Sequence, residues 1–185
     1  MTTTAPHTRA LVVYESMFGN TGAVAESVGS GLRTGGVDVE LVEVGDAPAA
    51  RDVACDLLVL GAPTHAFSLS RPGTRADAVR QGADESHAGP GLREWLGAAA
   101  HPTGDRPVVA VFDSRATKAR RLPAAGRAAA KLARRHGFKV LGPPEAFLVE
   151  DVRGPLAEGE LGRAQAWGTR LAARVAAEQS ARDLG

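Results

Sequence analysis

The run Glu15-Ser16-Met17-Phe18-Gly19-Asn20-Thr21 places two hydroxyls, an amide and a glycine between an apolar stretch and a helical pattern. A strand that breaks at such a loop and opens into a helix makes an anion site. Backbone N–H groups converge at the helix N-terminus, where the dipole favours negative charge. Ser16, Asn20 and Thr21 add neutral donors. The loop has no Lys or Arg, so it is not a P-loop, and it lacks the G-x-G-x-x-G spacing of a dinucleotide fingerprint. Two other groups follow apolar runs in the same way: Pro63-Thr64-His65-Ala66-Phe67 and Asp113-Ser114-Arg115. His65 has a ring whose ordinary pKa suits proton handling. Asp113 can cap a turn with Ser114.

These groups need a scaffold, and the hydrophobic pattern supplies one. Leu11-Val12-Val13, Leu57–Leu60 and Val108–Phe112 are unbroken apolar runs, as expected of strands buried on both faces. Val37–Val44 alternates with Asp38, Glu40 and Glu43, which predicts a strand near a sheet edge. A fifth strand, interrupted around Pro143-Pro144, is expected over 138–141 and 146–149. Val24, Val28 and Leu32 fall on one helical face, closed by Gly35-Gly36. Leu92, Trp95, Leu96 and Ala99 mark another helix. Leu122, Ala125, Ala129, Leu132 and His136 mark a third. Leu161, Ala164, Trp167, Leu171 and Val175 mark a long terminal one. Pro63 is expected to end its strand. The connection over 63–91 is long for a βα unit and is expected to be a lid or an interface element, with a short helix near 75–81. Strands alternating with helices predict an α/β fold, a three-layer sandwich of five parallel strands in order 2-1-3-4-5 with helices on both faces. Ligands of that topology lie at the β1/β3 switch point, beyond the carboxyl ends of the strands. The segments 15–21, 63–68 and 113–118 should therefore form one site.

The first loop resembles the phosphate loop of flavodoxins, roughly Ser/Thr-x-Ser/Thr-Gly-x-Thr at a helix start, with Met17 or Phe18 at the central hydroxyl position. Gly61-Ala62-Pro63-Thr64, Phe112-Asp113-Ser114 and the terminal helix carrying Arg163–Gly168 extend the resemblance over nearly the whole chain. The resemblance implies one flavodoxin-like domain over 9–180 after a flexible tail at 1–8. It implies FMN as cofactor, held by Ser16, Met17, Phe18, Gly19, Asn20, Thr21, Pro63, Thr64, His65, Ala66, Phe67, Asp113, Ser114 and Arg115. Asp113 would lie by the pyrimidine edge of the ring. Arg115 is either a solvated charge or, at the flavin N1/C2 edge, a stabiliser of anionic reduced flavin. The chain departs from the family at the ring clasp. Its second loop offers His65 and Phe67, and its third, Asp113 to Pro123, has no aromatic residue. His65 either faces the ring or has no role, and Phe67 reads as packing under the long connection. Stacking is a large share of affinity for a flat ring, so one face of the flavin would be more open.

At 185 residues the chain suits one domain with a full core. Its net charge of +1 gives no global drive toward nucleic acid or membrane, and no apolar run reaches a transmembrane length. One cysteine excludes an internal disulfide and fits a cytoplasmic location; Cys55 reads as a small buried apolar residue. His7, His87, His101 and His136 have no metal-ligand spacing. The charge is uneven: between Ser114 and Pro144 every charged side chain is basic, from Arg115 to Lys139. The bland reading is a solvated helix face. The functional reading is a basic mouth that attracts an anion such as a nicotinamide dinucleotide phosphate. Three functions remain open. The first is an electron carrier that serves a protein partner through FMN. The second is an FMN-dependent NAD(P)H:quinone-type oxidoreductase acting on a small anionic acceptor. The third is a flavodoxin-fold interaction module without flavin. A homodimer is compatible with all three.

Overall fold

The computed structural model describes residues 8–99 and 106–183. Five parallel strands lie in the order β2-β1-β3-β4-β5: β1 (Arg9–Tyr14), β2 (Asp38–Glu43), β3 (Leu57–Pro63), β4 (Val108–Ala116) and β5 (Glu145–Val149). The helices are α1 (Asn20–Thr34), α2 (Pro72–Arg80), α3 (Leu92–Gly97), α4 (Ala125–Arg135) and α5 (Glu160–Asp183). This is the expected α/β sandwich. Successive side chains of a strand point to opposite faces, so each apolar strand feeds two cores. Ala10, Val12, Leu57 and Val59 pack with α1 and α5; Leu11, Val13, Leu58 and Leu60 pack with α3 and α4. No helix among the described residues is long and apolar enough to cross a membrane.

The helix pair on the first face touches backbone to backbone. A Cβ on Gly31 of α1 would lie 1.9 Å from the carbonyl oxygen of Gln165, and one on Gly168 of α5 would lie 2.2 Å from that of Val28. The Thr169 hydroxyl donates to the Gly31 carbonyl at 3.2 Å. Nearby, Phe112, Phe147 and Trp167 meet edge-on, with centroids 5.9–6.1 Å apart.

Three details differ from the sequence expectation. β4 continues through Asp113, Ser114 and Arg115, because β5 is displaced toward its carboxyl end and pairs Phe112↔Glu145 through Ala116↔Val149. Those three residues are therefore strand, not loop. Pro63 ends β3, as expected, in register with Ser114. In α4 the buried stripe is Ala125, Ala129, Ala130 and Ala133; Leu122 precedes the helix and is exposed. Leu161 is also exposed, because the inner seam of α5 runs through Ala164, Trp167, Leu171 and Val175. The expected tail lies outside the described residues except for Thr8, whose hydroxyl donates to Gln179 at 2.8 Å. His7 and His101 also lie outside them.

The long connection is ordered. After a tight turn at 65–68 it forms α2 and a 3₁₀ turn at Glu85–Ala88. Ala78 and Ala83 pack on Met17 and Phe18 of the first loop. Arg93 donates to the carbonyls of Leu69 and Ser70 and to the Ser68 hydroxyl, which ties the start of the segment to α3. Beneath it lies a buried polar group. Glu15 accepts the Leu92 N–H at 2.9 Å, and Arg75 donates to Ser70 at 2.9 Å and to Glu94 at 3.2 Å. A Cβ on Gly91 would lie 2.6 Å from Glu15 and 2.8 Å from Arg75, so both side chains crowd the same point. Glu15 Oε1 and Arg75 Nε have no partner.

Candidate functional site

The carboxyl ends of β1, β3, β4 and β5 open onto one cleft of about 240 Å³. Met17, Phe18, Asn20 and Thr21 line it from the first loop, and Pro63, Thr64, His65 and Ala66 from the end of β3. Ser114, Arg115 and Ala116 line it from β4, and Val149, Asp151 and Val152 from the end of β5. Ten of the fourteen residues named from the sequence are thus brought together. Ser16, Gly19, Phe67 and Asp113 are not part of the lining.

The first loop is built by its own hydrogen bonds. Gly19 enters α1 with φ +86°, a conformation that costs a residue with a Cβ. The Ser16 hydroxyl accepts the Gly22 N–H at 3.2 Å, which satisfies one of the four orphan donors of the helix start. The Thr21 and Ser114 hydroxyls meet at 2.7 Å and join the first segment to β4. Asn20 faces the cleft and abuts the segment after β5, where a Cβ on Gly154 would lie 2.7 Å from its amide oxygen. Beside the cradle, burial pushes the Tyr14 phenol up, and Glu43 and Glu26 push it the same way. It therefore stays a neutral donor.

Asp113 departs most from expectation. It is fully buried and lies behind the cleft instead of at its edge. Its carboxylate accepts from Arg115 at 2.6 and 2.5 Å and from the Gly126 N–H of α4 at 3.1 Å. A carboxylate at a helix N-terminus is favoured by the dipole, so Asp113 anchors α4. Arg115 spends both arms on that carboxylate, and its charge at the cleft is largely neutralised. Thr64 completes the joint: its hydroxyl accepts the Ala125 N–H at 3.1 Å, and its own N–H donates to the Ser114 carbonyl at 2.8 Å.

His65 lines the cleft with its pKa lowered, first by burial; Arg75 adds to the fall and Glu15 opposes it. At neutral pH it presents one N–H donor and one acceptor nitrogen. Its neighbours form the strained part of the rim. His65 and Ser68 exchange backbone hydrogen bonds at 2.9 and 3.0 Å across Ala66 and Phe67, which have φ +45° and +63°. Two successive left-handed residues suit Asn-Gly better than Ala-Phe. Ala66→Gly is therefore expected to stabilise the protein by about 1 kcal/mol, read as a higher urea midpoint at unchanged slope. An unchanged or lower midpoint would show that the turn is unstrained. Phe67, at the tip, is 55% exposed and neither packs under the connection nor walls the cleft.

Sequence reasoning missed two contributors. Val149 ends β5 and Asp151 and Val152 follow it, and the rule that sites lie beyond strand carboxyl ends could have found them. Val149 and Val152 add apolar lining to the cleft and Asp151 adds a carboxylate, where the sequence offers no third-loop aromatic. Glu15 was read as part of the loop, but its carboxylate turns away to the N–H of Leu92. No sequence signal linked it to Arg75.

No family model matches the chain, and no curated protein does. Among solved structures, a flavodoxin from the domain Archaea aligns at 22% identity and a TM-score of 0.61, covering 90% of this chain and 98% of that one. Flavodoxin 2 from Bacillus cereus aligns at 19% and 0.64, covering 92% and 99%. The flavodiiron core of a Synechocystis protein aligns at 16% and 0.65, covering 94% of this chain and only 37% of that one. At these identities the likeness concerns the path of the backbone, and on that basis the chain has a flavodoxin-like fold.

Proposed function

We propose that the chain binds FMN in this cleft and acts as an electron-transfer protein. The observation that carries the reading is the meeting of the first loop, the end of β3 and the end of β4 on one cleft whose anion cradle is uncharged. The donor set fits the cofactor. A phosphate would meet the free N–H groups of the first turn of α1 and the Asn20 amide, with no carboxylate in the lining of that loop. Met17, Phe18, Val149 and Val152 give a flat ring apolar lining. His65 and Thr64 offer polar atoms at its edge. When bound, FMN supplies one- and two-electron redox chemistry; the chain supplies orientation and exclusion of water.

Titration of the apoprotein into FMN, followed by flavin fluorescence, tests this. Quenching to a 1:1 endpoint with a Kd below about 1 μM is expected. Asn20→Asp should weaken FMN about tenfold to a hundredfold by setting a negative charge against the phosphate, and should leave riboflavin unchanged. A protein that leaves FMN fluorescence unaltered at high concentration overturns the reading and favours a flavin-free interaction module. A second reading, a quinone-type reductase, draws on one observation: exposed Phe67 leaves the cleft uncovered on that side. Rapid reduction of the FMN-loaded protein by NADPH alone favours it; no reduction without a partner protein favours the carrier.

A further inference from the structure

The net charge of +1 hides a dipole set by strand order. From Asp38 to Asp56, at the β2 edge, six acidic residues face a single Arg51. From Ser114 to Pro144, at the opposite end of the sheet, every charged residue is basic. Lys118, Arg120 and Arg121 are exposed in the connection before α4, and Arg127, Lys131 and Arg134 are exposed along α4. Among the described residues none of these six has an acidic partner. The surface reaches the cleft: Arg115, in the lining, donates to the Arg120 carbonyl at 3.4 Å, and α4 begins at the hydrogen bond from Ala125 to Thr64. Its partly apolar rim includes exposed Leu122 and Val152.

We propose that this basic surface, the 117–122 connection together with the outer face of α4, docks an acidic electron-transfer protein against the cleft. The proposal rests on the electron-transfer reading and names the charge of the partner. The extent of the surface favours a protein over a small anion. The eleven residues of α4 span about 16 Å of convex helix, a stripe that meets the face of another protein. A dinucleotide would instead need its cations gathered around one pocket. Opposite charge across such an interface speeds encounter and sets orientation, and salt weakens it. The acidic β2 edge, at the far end of the sheet, would turn the dipole so that the cleft leads.

The test uses a small, strongly acidic [2Fe–2S] ferredoxin as probe, with binding measured by interferometry on the protein with and without FMN. Raising NaCl from about 20 to about 300 mM should weaken binding more than about tenfold. Arg127→Glu/Lys131→Glu should lose at least about tenfold at low salt, while Arg127→Lys/Lys131→Arg should bind like the parent. Arg170→Glu, on the exposed face of α5, is the control and should also bind like the parent. Thermal melts check that each variant folds. Salt-independent binding, or equal loss in the α5 control, overturns the proposal. So does displacement of the probe by NADPH at micromolar concentration, or self-association at low salt that the α4 variant abolishes. Because binding is read without flavin as well, failure of FMN uptake would leave the docking result separately readable.

Discussion

Arg75→Ala is expected to lower the unfolding free energy by about 3–5 kcal/mol, the cost of removing a buried arginine that pairs with Glu94 at 3.2 Å and lies close to, but not in contact with, the buried Glu15 carboxylate. Arg75 and Glu15 are each 2% exposed. Arg75 holds Ser70 and Glu94, and Glu15 holds the first N–H of α3. Without Arg75, the Glu15 carboxylate would stay buried beside Gly91 with one oxygen already unpartnered and the nearby guanidinium gone. A charge in that position is far costlier than a neutral polar group. Glu15→Gln in the Arg75→Ala background should therefore recover a large part of the loss, which simple cavity formation would not allow. Urea unfolding of the two single variants and the double variant supplies the cycle. A loss below about 1 kcal/mol for Arg75→Ala would show that water reaches the group and screens it. The consequence extends to the cleft. α2 and the turn after it pack Ala78 and Ala83 on Met17 and Phe18, so loosening α2 removes the support behind that wall.

Gly31→Ala should cost about 3 kcal/mol, at the upper end for overpacking. Its new methyl carbon would sit 1.9 Å from a carbonyl oxygen of α5, and the obstacle is backbone, which has no rotamer to change. Relief requires the helices to separate, which opens contacts along Val28, Leu32, Trp167 and Leu171. Gly168→Ala meets the same obstacle from the other helix, at 2.2 Å from the Val28 carbonyl. Gly162→Ala provides the contrast. It lies in α5 with open space where the methyl would go, so the better helix propensity of alanine should raise stability by roughly 0.5–1 kcal/mol. Equal melting temperatures for Gly31→Ala and the parent would mean that the two helices do not cross where the structure places them.

The fold was legible because its signals are local and repeated. Apolar runs such as Leu57–Leu60 can only be buried strands when helices alternate with them, and the alternation then leaves few topologies. The first loop was legible for the same reason: its glycine, hydroxyls and helix start all lie within one short segment. Asp113 was not. Its type and position fit a turn cap, and only the displacement of β5, set by pairing between distant segments, made it a buried anchor for α4. Arg115 followed it, because a guanidinium two residues away takes the nearest buried carboxylate before it can serve a ligand. The wall at Val149 and Val152 escaped notice because the interrupted fifth strand obscured where its carboxyl end lies. The stripe of α4 shows the limit of periodicity: alanine fills its inner face, and the larger Leu122 suggested a register that packing does not use.

The crossing of α1 and α5 also sets an order of assembly. The helix that presents the anion cradle is encoded near the start of the chain, yet its backbone neighbour, around Gln165–Thr169, is encoded near the end. Contacts so far apart in sequence form late. On the ribosome the first loop would emerge well before α5 and become competent only after it. A chain stopped before α5 would lack the terminal helix and leave the inner face of α1 bare, so such a fragment should bind no ligand at a loop it contains in full.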